Sequence, residues 1–155
     1  MKKINRISIF VAFLALILAA GCGKDDDNTT NPGNNIPAEL VGTWLYQSAT
    51  LNGAPISLAF ILEWDAGTVA ARFTVGADGS LINEELDADS TVVWSEWGTI
   101  TISGNTATLT ITENDDGPLP EPDILSGTWA LNGDTLTLTT VYQGATVVLV
   151  AIRYQ

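Results

Sequence analysis

From Leu40 to the C-terminus, apolar and polar residues alternate with a period of two, and turn signals interrupt the alternation at short intervals. Val69, Ala71, Phe73 and Val75 fall on one side of such a run, with Thr68, Ala70, Arg72 and Thr74 on the other. Ala107, Leu109 and Ile111 alternate with Thr106, Thr108, Thr110 and Thr112, and Leu125, Gly127, Trp129 and Leu131 follow the same rule. Successive side chains of a β-strand point to opposite faces, so this period with one apolar face marks half-buried antiparallel strands.

Asp78-Gly79, Gly104-Asn105 and Gly133-Asp134 are hairpin signals, because their residue types accept positive φ. Asn52-Gly53 and Gln143-Gly144 mark further turns. The pattern predicts about eight strands, near 41–50, 68–75, 80–87, 91–103, 106–113, 125–132, 135–142 and 145–154. Eight antiparallel strands joined by tight hairpins favour an all-β up-and-down barrel or a sandwich. A near-repeat agrees with successive hairpins: the 13 residues from Gly98 to Thr110 match Gly127 to Thr139 at seven positions. Two stretches break the alternation. Ser57 could cap a short helix over 57–64, and the three prolines of Asn114 to Asp123 predict a loop.

The N-terminus is built differently. Lys2, Lys3 and Arg6 precede an unbroken apolar run of 12 residues, Ile9 to Ala20. A spanning helix needs about 20 residues, so the run suits a signal-peptide core instead. It ends in Leu18-Ala19-Ala20-Gly21-Cys22, where small residues would let an extended chain enter a protease cleft. This stretch resembles the lipobox of bacterial lipoproteins, with Ala19 where the family prefers Leu and Leu18 one place earlier. The resemblance implies that residues 1–21 are removed and that Cys22 is lipidated, with chains such as palmitate. The mature chain would then be held by a lipid anchor in the cell envelope, at the outer membrane. Residues 22–35 carry Lys24-Asp25-Asp26-Asp27 and then Asn, Thr, Pro and Gly without apolar period, and so read as a tether. The Lys-Asp-Asp-Asp run resembles the acidic export signal of surface lipoproteins of the Bacteroidetes. Residues 36–155 remain for one domain of ordinary size.

Cleavage before Cys22 would leave 18 acids against Lys24, Arg72 and Arg153, a formal charge of −15. Such a charge repels nucleic acid and anionic headgroups. The chain has no histidine and no second cysteine, which removes Ser-His triads, thiolate catalysis and His/Cys metal sites. Glu84, Glu85, Asp87, Asp89 and Glu96 gather around one hairpin. Paired carboxylates can hydrolyse glycosides or hold Ca²⁺, but the spacing matches neither pattern, and the group reads as a solvated acidic edge that discourages strand aggregation.

Glu39-Leu40-Val41-Gly42-Thr43-Trp44 resembles the Gly-x-Trp opening strand of lipocalins and related calycin barrels. Gly127-Thr128-Trp129, followed by Gly133-Asp134-Thr135-Leu136, is similar to hairpins of bacterial lipocalin-like lipoprotein domains. Arg153 lies where calycins place an arginine over the opening tryptophan. The resemblance implies a lipocalin-like barrel closed by Trp44 and Arg153. It also implies a pocket for a small apolar or amphipathic ligand, with Trp44, Phe73, Trp94, Leu109 and Trp129 as candidate lining residues. Trp94 and Trp97, three apart, are expected on opposite faces of their strand. The first reading is thus a monomeric, membrane-anchored, ligand-binding barrel that is not an enzyme and needs no cofactor or metal. The alternative is a surface interaction module, adhesin-like or inhibitor-like, without a small ligand.

Overall fold

Strand pairing follows the alternation almost residue for residue. The computed structural model describes residues 36–154 apart from residue 65. The expected signal segment and tether, with Cys22 at their junction, lie outside the described residues. The elements are β1 (Gly42–Leu51), β2 (Ala54–Ile56), α1 (Leu58–Ile61), β3 (Ala70–Val75), β4 (Ser80–Leu86), β5 (Val92–Ser103), β6 (Thr106–Asn114), β7 (Gly117–Asn132), β8 (Thr135–Tyr142) and β9 (Ala145–Arg153). All pairings are antiparallel. The order β1-β3-β4-β5-β6-β7-β8-β9 closes on itself through β1 and β9, giving an eight-stranded up-and-down barrel. Closure gives every barrel strand a neighbour on each side.

The short β2 was not foreseen. It pairs with the second half of β1, Ala49 to Leu51, while β3 pairs only with the first half, Gly42 to Leu45. β1 and β3 therefore part at one end of the barrel, and the β2–α1 segment occupies that end. Leu58, Ile61 and Leu62 pack there against Ala49, Val147 and Leu149. The helix expected over 57–64 is a single turn. Ser57 takes the capping position, but its side chain makes no cap hydrogen bond.

The expected loop at Asn114–Asp123 is corrected by the structure. β6 runs to Asn114, Asp115 and Asp116 form the turn, and β7 begins at Gly117. Prolines normally exclude a sheet interior because they lack the N–H. Here the register jumps between Ile111↔Asp123 and Glu113↔Pro118, so Pro120 and Pro122 lie in an unpaired stretch. β8 reaches only from Asn132 back to Gly127, so this end of β7 is also unpaired on its other side. All three prolines are exposed.

The base of the barrel, opposite α1, is filled. Leu40, Trp44, Phe73, Val75, Leu81, Ile100, Ala107, Leu136 and Ala151 form one buried cluster. Full burial of each large apolar side chain there contributes about 1.5–3 kcal/mol. Arg153 is the register partner of Trp44 across β1 and β9, with its guanidinium 4.3 Å from the centre of the Trp44 ring. Its Nη1 donates to the Val41 carbonyl at 3.0 Å and its Nη2 to Glu39 at 2.5 Å. Trp44 Nε1 donates to the Leu40 carbonyl at 2.9 Å. The segment before β1 is thereby tied across the barrel floor.

Candidate functional site

The floor packing stops partway up the barrel. Above it, beneath α1, lies a cavity of about 230 Å³. Phe73, Leu81, Leu109, Ile111, Leu125 and Leu149 supply apolar wall from five strands. Ile61 at the end of α1 and Leu62 just after it cover it. The Tyr46 ring packs on Phe73 with centroids 5.1 Å apart and joins the lining. Below, only about 10 Å³ of empty space remains between Leu40, Phe73, Ile100, Trp129 and Leu136.

Of the five expected lining residues, Phe73, Trp94 and Leu109 border the cavity. Trp44 is buried in the floor and serves closure. Trp129 lies low in the barrel, where its Nε1 donates to the Gly104 carbonyl at 3.2 Å. Trp94 and Trp97 do diverge: Trp94 is buried, whereas Trp97 is 36% exposed on the outside of the barrel.

The upper wall is polar, which the sequence reading missed. Asn83, Glu85, Trp94, Glu96 and Asp123 all border the cavity. Alternation explains their placement. Asn83 and Glu85 share the face of buried Leu81 on β4, and Glu96 shares that of Trp94 on β5. The parity of these positions with their apolar neighbours was the available signal, masked by reading the acids as one solvated group. Glu84 alone of the β4 pair turns outward, where it accepts from Arg72 Nε at 2.7 Å. Glu85 is only 4% exposed and accepts from Thr68 Oγ1 at 2.6 Å. The solvated-edge expectation is thus corrected for Glu85 and Glu96. Asp87, in the β4–β5 turn, keeps it, accepting from the Asp89 and Thr91 amides at 2.9 Å.

Asn83 Nδ2 donates to Glu96 Oε2 at 3.0 Å, and Asn83 Oδ1 is buried without a hydrogen-bond partner. Burial pushes the Glu96 carboxyl above the ordinary range, and the Glu85 and Asp123 charges add to this against the Asn83 and Trp94 hydrogen bonds. Burial likewise raises the Tyr46 phenol, assisted by Glu96, so that Tyr46 stays a neutral hydroxyl. Among the described residues no three acids are grouped closely enough to hold a metal ion.

No family model matches the chain. No curated protein matches it either. Among solved structures, the chain is similar to a lipocalin-like protein from Bacteroides uniformis ATCC 8492, at 13% identity and a TM-score of 0.47, over 76% of this chain and 100% of that one. It is also similar to the REP1-NXSQ fatty acid transporter, at 12% identity and a TM-score of 0.42, over 77% of this chain and 98% of that one. A point mutant of the same transporter aligns at 14% identity and a TM-score of 0.42, over 76% and 100% of the two chains.

Proposed function

We propose that the protein binds a small apolar or amphipathic molecule inside its barrel, beneath α1, and catalyses no reaction. We further propose that it does so tethered through an acylated Cys22 to the outer membrane of a cell envelope. The observation that carries the binding role is the cavity of about 230 Å³ above a filled floor. An interior packed throughout would leave no room for a guest. An apolar cavity of about 150 Å³ already holds a benzene-sized molecule. The volume lies just below the usual range of about 300–1,000 Å³ for drug-sized ligands, which favours a short alkyl chain or a single small ring. Trp94 on the wall is a built-in reporter.

The test is a titration with 1-decanol, read by intrinsic tryptophan fluorescence and calorimetry. Saturable binding with one site per chain is expected, and Trp94→Phe should remove most of the fluorescence change while leaving the heat. Leu109→Trp, which fills the cavity, should abolish the heat with the circular dichroism of the barrel retained. Absence of saturable binding in the parent protein, or an unchanged heat in the filled variant, would overturn the reading.

A further inference from the structure

The cavity makes this a site, and the polar groups on its wall decide which head group suits it. This inference rests on the binding role proposed above. Much of the wall is hydrocarbon, from Phe73, Leu81, Leu109 and Leu149. The upper wall offers the carboxylates of Glu85, Glu96 and Asp123. Beside them the carbonyl oxygen of Asn83 is buried with no partner. Its orientation is set by Glu96, which accepts a hydrogen bond from Nδ2. The unsatisfied atom is an acceptor, and a buried acceptor without a donor is costly to leave so. A guest able to donate hydrogen bonds would answer it.

Positive charge is missing from the same wall. The described residues include two cations. Arg72 points outward to Glu84, and Arg153 is engaged at the floor with Trp44 and, at 3.4 Å, with Asp134. Neither borders the cavity. The surrounding turns add more acid: Asp87 and Asp89 follow β4, Asp115 and Asp116 follow β6, and Glu63 follows α1 and lines the mouth. A cleft rimmed by one sign of charge concentrates ligands of the other sign. A carboxylate guest, by contrast, would bring a like charge into a partly dry space already holding three acids. A bare metal ion is not the match, because the acids are too dispersed to coordinate one.

We infer that the cavity selects a cationic amphiphile, an amine with a short apolar body, over a carboxylic acid of the same size. The ammonium would sit among Glu85, Glu96 and Asp123, and the apolar body would run down towards Phe73 and Leu109.

Three ten-carbon probes that differ only in the head group decide the matter: decylamine, 1-decanol and decanoate. Each is titrated into the intact protein at neutral pH, below its micelle concentration. Added salt of about 0.5 M screens attachment to the acidic exterior. Decylamine should bind one per chain and at least tenfold more tightly than decanoate, with decanol between them. Glu96→Gln and Asp123→Asn should each narrow the preference for decylamine over decanoate at least threefold. The two are read independently, so failure of one to fold still leaves the other. Equal affinity for all three probes would overturn the inference while leaving the binding role intact, as would a preference for decanoate. Saturation by none of the three would overturn both.

Discussion

Arg153 stands 4.3 Å over the Trp44 ring and reaches past it to the carbonyls of Val41 and Glu39. One side chain thus stacks on an indole and ties down the segment entering β1. The contact explains the glycine two residues before Trp44. A Cβ on Gly42 would sit 3.0 Å from Arg153 Nη1, and its φ of 131° also disfavours other residues. Stacking of this kind contributes about 0.5–2 kcal/mol. Each charge-assisted hydrogen bond adds about 1.5–3 kcal/mol, less where water reaches it. Arg153→Ala should therefore lower unfolding stability by about 2–4 kcal/mol in urea melts. Arg153→Lys should recover less than half of that, because an ammonium cannot span the ring and both carbonyls. A loss under about 0.5 kcal/mol would mean that the contact is incidental, within the spread of ordinary surface substitutions.

Gly98 and Gly127 open the two copies of the near-repeat, and the structure supplies a reason for both. A Cβ on Gly98 would run into the Thr110 carbonyl of β6, and one on Gly127 into the Thr139 carbonyl of β8. Both glycines let the partner backbone come close, and Gly98 does so where the β5–β6 register shifts. Gly98→Ala should cost about 1–3 kcal/mol, the usual range for overpacking a tight site. Gly127→Ala should behave alike. Thermal melts followed by circular dichroism check this, and wild-type midpoints in both variants would contradict it.

The fold could be read from the sequence to the extent that local rules governed it. Seven of the eight expected strands begin and end within two residues of their observed limits. Alternation and turn chemistry act over a few residues and survive closure unchanged. The exception, β7, begins at Gly117 because the chain accommodates Pro120 and Pro122 in a register jump, which no local rule reveals. The site was harder. Phe73 and Leu109 were found because apolar residues on an inward face declare themselves. Glu85 and Glu96 obey the same alternation, yet the rule that charges stay in water was allowed to override it. Trp129 was misplaced along the barrel axis, since periodicity gives the face of a strand but not the height at which the floor packing stops.

The proposed anchoring through Cys22 is testable on the full chain in cells. If Cys22 carries the anchor, Cys22→Ser should move the protein from the membrane pellet to the soluble fraction and abolish incorporation of labelled palmitate. Stability of the barrel should not change. Continued labelling of the variant, or persistent pelleting through detergent-sensitive membrane association, would remove Cys22 from that role.

Glu96 makes stability depend on pH in a direction opposite to that of most carboxylates. Its folded-state pKa is raised above the ordinary carboxylate range, chiefly by burial and further by Glu85 and Asp123. The folded protein therefore holds this proton more tightly than the unfolded chain does. By linkage, stability falls as pH rises from the unfolded carboxylate range through the folded value, and the penalty is complete above it. Below the unfolded value both states are protonated and the term vanishes. Gln cannot ionise, so Glu96→Gln lacks this pH-dependent penalty. The urea midpoint of the variant minus that of the wild type should thus increase between pH 4 and pH 8, with acids remote from Glu96 cancelling in the difference. An amine held beside Glu96 would favour the charged form and pull its pKa back down. Decylamine should then release protons on binding near the folded pKa, seen as a calorimetric heat that varies with the ionisation enthalpy of the buffer. A midpoint difference that is flat or decreasing with pH would show that Glu96 is solvated in the folded protein.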